Sequence, residues 1–306
     1  MRIAILGATS QIAKDLVLSF SKLDSPELTL VARRPAAVTQ WLSDVGLSGR
    51  YDVADFAVLD SAADFDALLN FVGVGNPAQA AAMGAAILDV TLAYDEMALK
   101  YVRQHPECRY IFLSSGAAYG SGFEAPASIN TKAAIAINTL KPQDWYGVAK
   151  LYAECRHRAL PHLPIIDVRV FSYFSRTQDS SARFFMADIA RAIRNKSVLK
   201  TSSNPIVRDF LHPSDFHKLV EAVLTAGAEN AAVDCYTLAP IEKSRLLAAM
   251  QENFGLRYEV TDEVVSVNAT GNKPHYYSLN TRAADFGYHP TLTSLQGVVQ
   301  EMHELQ

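Results

Sequence analysis

The chain has 306 residues, of which 49% are hydrophobic, and a formal net charge of −4. This length and composition predict a globular protein with a substantial buried core. Because the charge is mild and no long basic or acidic run occurs, nucleic acid and an anionic membrane are not expected partners. No stretch of about 18 apolar residues is present, so no membrane-spanning helix is predicted.

The beginning of the chain and its cysteines indicate the compartment. "MRIAILGATS" starts a strand at once and has no signal-peptide pattern. The three cysteines are Cys108, Cys155 and Cys235, far apart and without metal-ligand spacing. We therefore expect reduced thiols in a cytoplasmic protein and no metal site.

The first half of the chain alternates short apolar strands with helices. Strands are predicted at residues 2–6, 28–33, 51–60, 66–75, 110–115 and 164–172, and helices at 11–22, 36–45, 78–104 and from 145 onward. This alternation is typical of an α/β protein with a doubly wound parallel sheet, the Rossmann fold.

After residue 172 the pattern becomes mixed. A helix is predicted at residues 182–194, followed by "VRDFLHPSDF", a helix to Thr225, a strand at "VDCYTLAP", and a further helix, strand and helix. We interpret residues 1–172 as a dinucleotide-binding Rossmann domain. Residues 173–306 are predicted to form mainly a smaller α/β substrate-binding lobe, with some segments returning to the first domain.

Sheets of this kind bind ligands beyond the carboxyl ends of their strands. This rule places Gly7, Arg33, Gly73, Ser115 and Ser172 at one rim. The opening strand and helix are joined by "ILGATSQIAKDL", where Gly7 permits a tight turn and the helix N-terminus offers amides to a pyrophosphate. The predicted cofactor-binding residues are Gly7, Thr9, Ser10, Gln11, Ile12, Arg33, Arg34, Val72, Gly73, Tyr146 and Lys150.

The second strand ends in Arg33 and Arg34, where an acidic residue would bind the adenosine ribose of NAD. Because arginine accommodates a 2′-phosphate, NADP is the favoured cofactor and NAD the alternative. A pair of solvated surface arginines is the other interpretation.

"DWYGVAK" places Tyr146 and Lys150 four residues apart, on one helical face. A nearby ammonium favours ionisation of a phenol, so Tyr146 could exchange a proton while Ser115, at the end of "YIFLSS", binds the reacting oxygen. Structural roles are the alternatives: a loop cap for Ser115, and a helix pair for Tyr146 and Lys150.

The order of these motifs resembles the extended short-chain dehydrogenase/reductase family, in its nucleotide-sugar epimerase, dehydratase and reductase branch. "GATSQIA" resembles the nucleotide loop, "LSSGAAYG" the catalytic-serine strand and "YGVAK" the Tyr-Lys helix. The resemblance implies that Ser115, Tyr146 and Lys150 are catalytic. It also implies that Ser115, Ser172 and Arg208 bind substrate, with Arg208 of "VRDFLHPSDF" meeting the diphosphate of a nucleotide sugar. A homodimer is a further implication.

Two departures from the family pattern narrow the expected reaction. Gly116 and Ala117 replace the Asp-Glu pair of the dehydratases, which disfavours a 4,6-dehydratase. Ser172 stands where asparagine is common in the family, so the substrate contact there is expected to differ.

The leading hypothesis is an NADPH-dependent reductase of a nucleotide-activated keto sugar. An NAD-dependent nucleotide-sugar epimerase is the first alternative. A non-catalytic NAD(P)-binding regulator and a reductase of an apolar carbonyl compound are the others.

Overall fold

A seven-stranded parallel sheet occupies the centre of the protein, which is described from a computed structural model over residues 1–23, 26–61, 63–74, 80, 82–120, 122–179, 184–261 and 273–305. The strand order is β3-β2-β1-β4-β5-β6-β11. All six neighbouring pairs are parallel. The strands are β1 (Arg2–Leu6), β2 (Glu27–Val31), β3 (Asp52–Ala54), β4 (Ala67–Asn70), β5 (Arg109–Ser115), β6 (Ile165–Val170) and β11 (Ala231–Asp234).

Helices cover both faces of this sheet. Along β1, Ile3 and Ile5 belong to one buried cluster, whereas Ala4 and Leu6 belong to another. Because side chains alternate across a strand, burial on both faces requires a continuous apolar sequence such as "IAIL". The helices are α1 (Gln11–Phe20), α2 (Pro35–Asp44), α3 (Ala86–Gln104), α4 (Trp145–Arg158), α5 (Phe185–Arg194), α6 (Pro213–Thr225), α7 (Lys243–Phe254) and α8 (Ser294–His303). The predicted doubly wound α/β fold is confirmed.

Three small sheets lie beside the large one. Their strands are β7 (Ser172–Tyr173), β8 (Val198–Ser202), β9 (Val207–Arg208), β10 (Phe210–Leu211), β12 (Ile241–Glu242), β13 (Arg257–Thr261) and β14 (His275–Tyr276). They pair as β10-β7, β12-β9-β14 and β13-β8. A third buried cluster, which includes Phe174, Met186 and Met302, draws all its members from residue 174 onward. The division into a Rossmann domain and a substrate lobe stays a prediction.

Some predicted elements differ from the structure. The strand predicted at 51–60 is limited to β3, because the Asp55 side chain accepts the Ala57 amide and begins a 3₁₀ helix at Phe56–Asp60. The strand predicted at 66–75 ends at Asn70. The beginnings of the helices predicted at 78–104 and 182–194 fall partly outside the described residues. None of the helices in the described ranges is long and apolar enough to cross a membrane.

Candidate active site

The turn after β1 brings the phosphate loop against the end of β4. Gly7 has φ +79°, in the left-handed region. A Cβ there would lie 2.9 Å from both the Phe71 carbonyl carbon and the Val72 nitrogen, so only glycine fits without a shift of the backbone. The Gly7 amide donates to the Val31 carbonyl oxygen at 2.9 Å, which ties the loop to β2 as well.

The N-terminus of α1 has the amides that a pyrophosphate requires. Ser10 caps the helix through the Ala13 amide at 3.4 Å. The backbone amides of Gln11 and Ile12 donate to no other described residue, and they belong to the helix end whose partial charge is positive. Thr9 is exposed beside them. These residues fit a dinucleotide phosphate, except that the Gln11 side chain donates to Ser175 Oγ at 2.8 Å and is therefore engaged elsewhere.

Arg33 and Arg34 follow β2 at the same edge of the sheet. Both side chains are exposed, and neither forms a hydrogen bond or ion pair with another described residue. Arg34 is also the residue that precedes α2. The pair is therefore free to meet a phosphate, although its exposure fits solvated surface arginines equally well.

Tyr146 and Lys150 lie one turn apart on α4, which packs against β5. The Lys150 ammonium donates to the Leu113 carbonyl oxygen at 2.6 Å and lies 5.8 Å from the centre of the Tyr146 ring. A Cβ on Gly73 would lie 3.6 Å from Lys150 Nζ, so the end of β4 passes close to this ammonium. The structure thus brings the glycine-rich turns and the Tyr-Lys pair together at one rim.

The electrostatics of this pair depend on burial. Burial lowers the pKa of Lys150 to about 8, although the charges of Asp95, Glu154 and Asp167 raise it in part. Burial raises the pKa of Tyr146, and a hydrogen bond with Ser115 opposes that rise. At neutral pH the pair is therefore a neutral phenol beside a protonated amine.

Ser115 is the last residue of β5, and its side chain contacts a tyrosine as well as a backbone amide. Its Oγ accepts the Ala117 amide at 3.2 Å, which begins the 3₁₀ helix at Gly116–Tyr119. Ser115 is thus a loop cap, as one interpretation predicts, and it is also a neighbour of Tyr146. Its neighbour Ser114 cannot take that place, because Ser114 Oγ donates to Glu154 at 2.5 Å inside the protein.

The substrate-side residues Arg208 and Ser172 differ in their positions. Arg208 lies on β9 opposite Tyr276 of β14. It donates to the carbonyl oxygens of Val207 and Lys273 at 2.8 and 2.7 Å, not to Asp209, which accepts from Thr237 instead. Ser172 is partly buried in the two-stranded β10-β7 sheet, opposite Phe210.

Two residues missed by the sequence analysis, Tyr276 and Lys273, complete the group. The Tyr276 hydroxyl lies 3.1 Å from Ser115 Oγ. The Lys273 ammonium lies 4.6 Å from the centre of the Tyr276 ring and forms no hydrogen bond or ion pair with a described residue. Burial and the charge of Arg208 lower the pKa of Lys273 to about 8. No motif in the sequence marks Tyr276 or Lys273.

A buried network of charged and polar side chains joins α4 to the strands and the helix beside it. His157 is 0% exposed and lies between Asp167 at 2.6 Å and Asp95 at 2.8 Å. Tyr110 donates to Asp95 and accepts from Asn70, whose side-chain oxygen accepts the Val72 amide at 2.9 Å. The network thus reaches the turn where the cofactor is predicted to bind.

Comparison with solved structures shows the same fold in nucleotide-sugar enzymes. A UDP-glucuronic acid 4-epimerase from Bacillus cereus, crystallised with UDP-glucuronic acid and NAD, has a TM-score of 0.79 and 16% identity over 100% of both chains. A dTDP-glucose 4,6-dehydratase from Bacillus anthracis, in complex with NAD, has a TM-score of 0.77 and 15% identity over 99% of this chain and 96% of that one.

A UDP-N-acetylglucosamine 4-epimerase from Methanobrevibacter ruminantium has a TM-score of 0.81 and 14% identity over 99% of this chain and 97% of that one. At such identities the likeness shows the fold alone.

No curated protein matches the chain at a significant level. A family model matches residues 3–239, which is most of the chain. The chain is therefore a member of the NAD dependent epimerase/dehydratase family, a family of enzymes.

Proposed function

We propose that this protein exchanges a hydride and a proton at one carbinol or carbonyl carbon of a nucleotide-activated sugar. The observation that carries the proposal is the convergence of Ser115, Tyr146 and Lys150 at the carboxyl end of the sheet. A bound nicotinamide supplies the hydride donor or acceptor for such a reaction. The dinucleotide would be held by Gly7, by Gly73 and by the free backbone amides at the start of α1.

Each of the three side chains has a separate task. Tyr146 is a neutral phenol at neutral pH, so it can give its proton to a carbonyl oxygen during reduction. Lys150 is mainly protonated there and stabilises the phenolate that remains. Ser115 binds the same sugar oxygen and holds it within reach of Tyr146.

The diphosphate of the sugar nucleotide is assigned to Arg208 and Lys273. Both cations are more than half buried and adjoin Tyr276, and neither forms an ion pair with a carboxylate among the described residues; Asp144 acts on Lys273 only through its charge. A buried cation without a counter-ion is costly, and a diphosphate would relieve that cost. An apolar carbonyl substrate would leave both charges uncompensated, which argues against that class of reductase.

The arginine pair indicates the cofactor, and the cofactor in turn indicates the direction of the reaction. Arg33 and Arg34 are free to bind a 2′-phosphate, so NADP is the proposed cofactor. Because NADPH commonly serves net reduction, we propose a keto-sugar reductase. The cytoplasmic location and the homodimer are further proposals; light scattering on the purified protein measures the latter.

An epimerase is the second candidate. The family name and the 4-epimerases from Bacillus cereus and Methanobrevibacter ruminantium favour it, and the Bacillus cereus enzyme was crystallised with NAD. The same tyrosine would then act in both directions. A regulator without chemistry would need neither Tyr146 nor Lys150, yet both lie at the rim.

Incubation with NADPH and nucleotide-activated keto sugars, and in parallel with NAD and a panel of nucleotide sugars, separates these candidates. A reductase consumes one NADPH for each sugar reduced, measured by the loss of absorbance of the reduced nicotinamide. An epimerase instead yields an isomer of a nucleotide sugar without net change of cofactor. Cofactor binding with neither product would contradict both.

A further inference from the structure

The hydrogen bonds that Ser115 accepts determine where its hydroxyl proton can be donated. A serine hydroxyl has one proton to donate and two lone pairs to accept with. One lone pair accepts the Ala117 amide at 3.2 Å, and Tyr276 Oη lies 3.1 Å away. If Tyr276 donates, both lone pairs are used and Ser115 must donate its own proton.

The phenol of Tyr276 is held beside Ser115 by its packing. Its ring is packed against Phe123 at 4.9 Å and Phe171 at 5.3 Å between ring centres, so the phenol has little freedom to turn away. Burial raises the pKa of Tyr276, which keeps its proton in place. Either oxygen of the pair can donate, and Tyr276 is assigned as the donor because a phenol is more acidic than an aliphatic hydroxyl.

The remaining proton of Ser115 has an acceptor in the site. The Ser115 hydroxyl lies between two phenols, because hydrogen bonding with Ser115 opposes the rise in pKa that burial causes in both Tyr146 and Tyr276. A sugar oxygen placed beside Tyr146 would receive the same proton. Ser114 cannot replace it, since its hydroxyl is bound to Glu154.

We propose that Tyr276 is a positioning residue, which donates to Ser115 and so fixes the serine as the donor to the reacting sugar oxygen. This inference rests on the proposed function. An oxygen that changes between alcohol and ketone carries its greatest negative charge in between, where a fixed donor stabilises it most. Tyr276 therefore acts on the rate of the chemical step through Ser115.

A double-mutant cycle of Tyr276→Phe and Ser115→Ala tests this coupling. With wild-type Ser115, Tyr276→Phe is expected to lower kcat about fivefold to tenfold with little change in KM, the effect of one neutral hydrogen bond. In the Ser115→Ala background the same change is expected to cost less than about twofold, because the group it positions is gone. Tyr277→Phe, on the neighbouring residue, is the matched control and should leave kcat unchanged.

A loss of folded protein caused by Tyr276→Phe would not give this result, because it would lower the measured rate by the same factor in the wild-type and the Ser115→Ala backgrounds. Equal effects of Tyr276→Phe with and without Ser115, or none at all, would overturn the inference while leaving the proposed function intact. A wild-type protein that turns over no nucleotide sugar would instead overturn the proposed function, and this inference with it. Cofactor affinity of each variant, measured by quenching of protein fluorescence, should equal that of the wild type.

Discussion

The two halves of the candidate site are built in different ways. The cofactor rim uses the ends of three neighbouring strands of one large sheet, where Gly7 and Gly73 follow β1 and β4 and Ser115 ends β5. The substrate side uses two-residue strands, β9 and β14, whose partners Arg208 and Tyr276 are 68 positions apart in the numbering. The positions of the cofactor-rim residues are determined by a local pattern of strand and turn that repeats along the chain. The positions of the substrate-side residues are determined by the pairing of strands that are distant in sequence.

This difference separates the residues proposed to be catalytic from those proposed to bind the substrate. Ser115, Tyr146 and Lys150 stand on long elements, β5 and α4, whose positions are fixed by a buried core. Arg208, Lys273 and Tyr276 stand on short edges that are held by each other and by a few aromatic rings. We therefore expect changes in the first group to affect kcat, and changes at Arg208 and Lys273 to affect mainly binding. Tyr276 is the exception, because it acts on kcat through Ser115.

Removal of the Tyr146 hydroxyl should have the largest effect. Tyr146→Phe is expected to lower kcat about a thousandfold, the usual contribution of a positioned proton donor, and to leave cofactor binding intact. Steady-state kinetics on the reactive nucleotide sugar measure it. Tyr152→Phe is the control, since Tyr152 lies on the same helix and is 49% exposed. Equal rates for the two variants would break the proposed assignment of roles.

Arg208→Ala should act on binding instead. Loss of a buried guanidinium that meets a diphosphate is expected to weaken nucleotide-sugar affinity about tenfold to a hundredfold, the range for hydrogen bonds to charged groups. Isothermal titration with the nucleotide sugar and with the sugar alone gives the comparison, and only the former should change. Arg194→Ala, at an exposed position of the same lobe, is the control. A fall in kcat at unchanged affinity would contradict the division between the two halves.

The buried network beneath the rim predicts a dependence of stability on pH. Burial lowers the pKa of His157, but the charge of Asp167 and the hydrogen bonds to Asp167 and Asp95 outweigh it and raise the pKa to about 9 from 6.5. A raised folded-state pKa stabilises fully below pH 6.5, and this contribution is lost as the pH rises toward 9.

Urea unfolding at pH 6.5 and pH 8 measures the effect. The contribution of His157 to the free energy of unfolding, measured as the difference between the wild type and His157→Gln, should fall by up to about 2 kcal/mol across this interval. His157→Gln should unfold more easily at pH 6.5 and show a smaller difference between the two pH values. A difference between the wild type and His157→Gln that does not fall over the interval would show that His157 is not charged in the folded protein.

The smallest effect is expected at the arginine pair. Changing Arg33 and Arg34 to serine should weaken NADP binding about tenfold, since two exposed cations each contribute about 1 kcal/mol or less, and leave NAD binding unchanged. Fluorescence titration with the two cofactors measures the ratio of affinities. Arg103→Ser, on the exposed surface of α3, is the control. Equal losses for both cofactors would mean that the pair does not distinguish them.

The parts of the site that were predictable are those with a local signal. Gly7 could be placed because a glycine between a buried strand and a helix has a steric reason, and Tyr146 with Lys150 because their spacing is one helical turn. Tyr276 gave no such signal. Its position comes from the pairing of β14 with β9 and from the rings of Phe123 and Phe171, which no spacing along the chain records.

Two further differences have the same physical origin. Gln11 lies in the predicted phosphate loop, but its side chain is drawn to Ser175 by a contact 164 positions away in the sequence. The strand predicted over residues 51–60 is cut short because the Asp55 carboxylate offers the backbone a competing hydrogen bond. In both places a side-chain contact, not the apolar pattern, decides the outcome.

A crystal structure of the protein with bound NADP tests the central claim most directly. We predict the pyrophosphate at the N-terminus of α1 and the nicotinamide ring beside Gly73, facing Tyr146 and Ser115. A nicotinamide bound outside this cleft, or a Tyr146 hydroxyl turned away from it, would contradict the account.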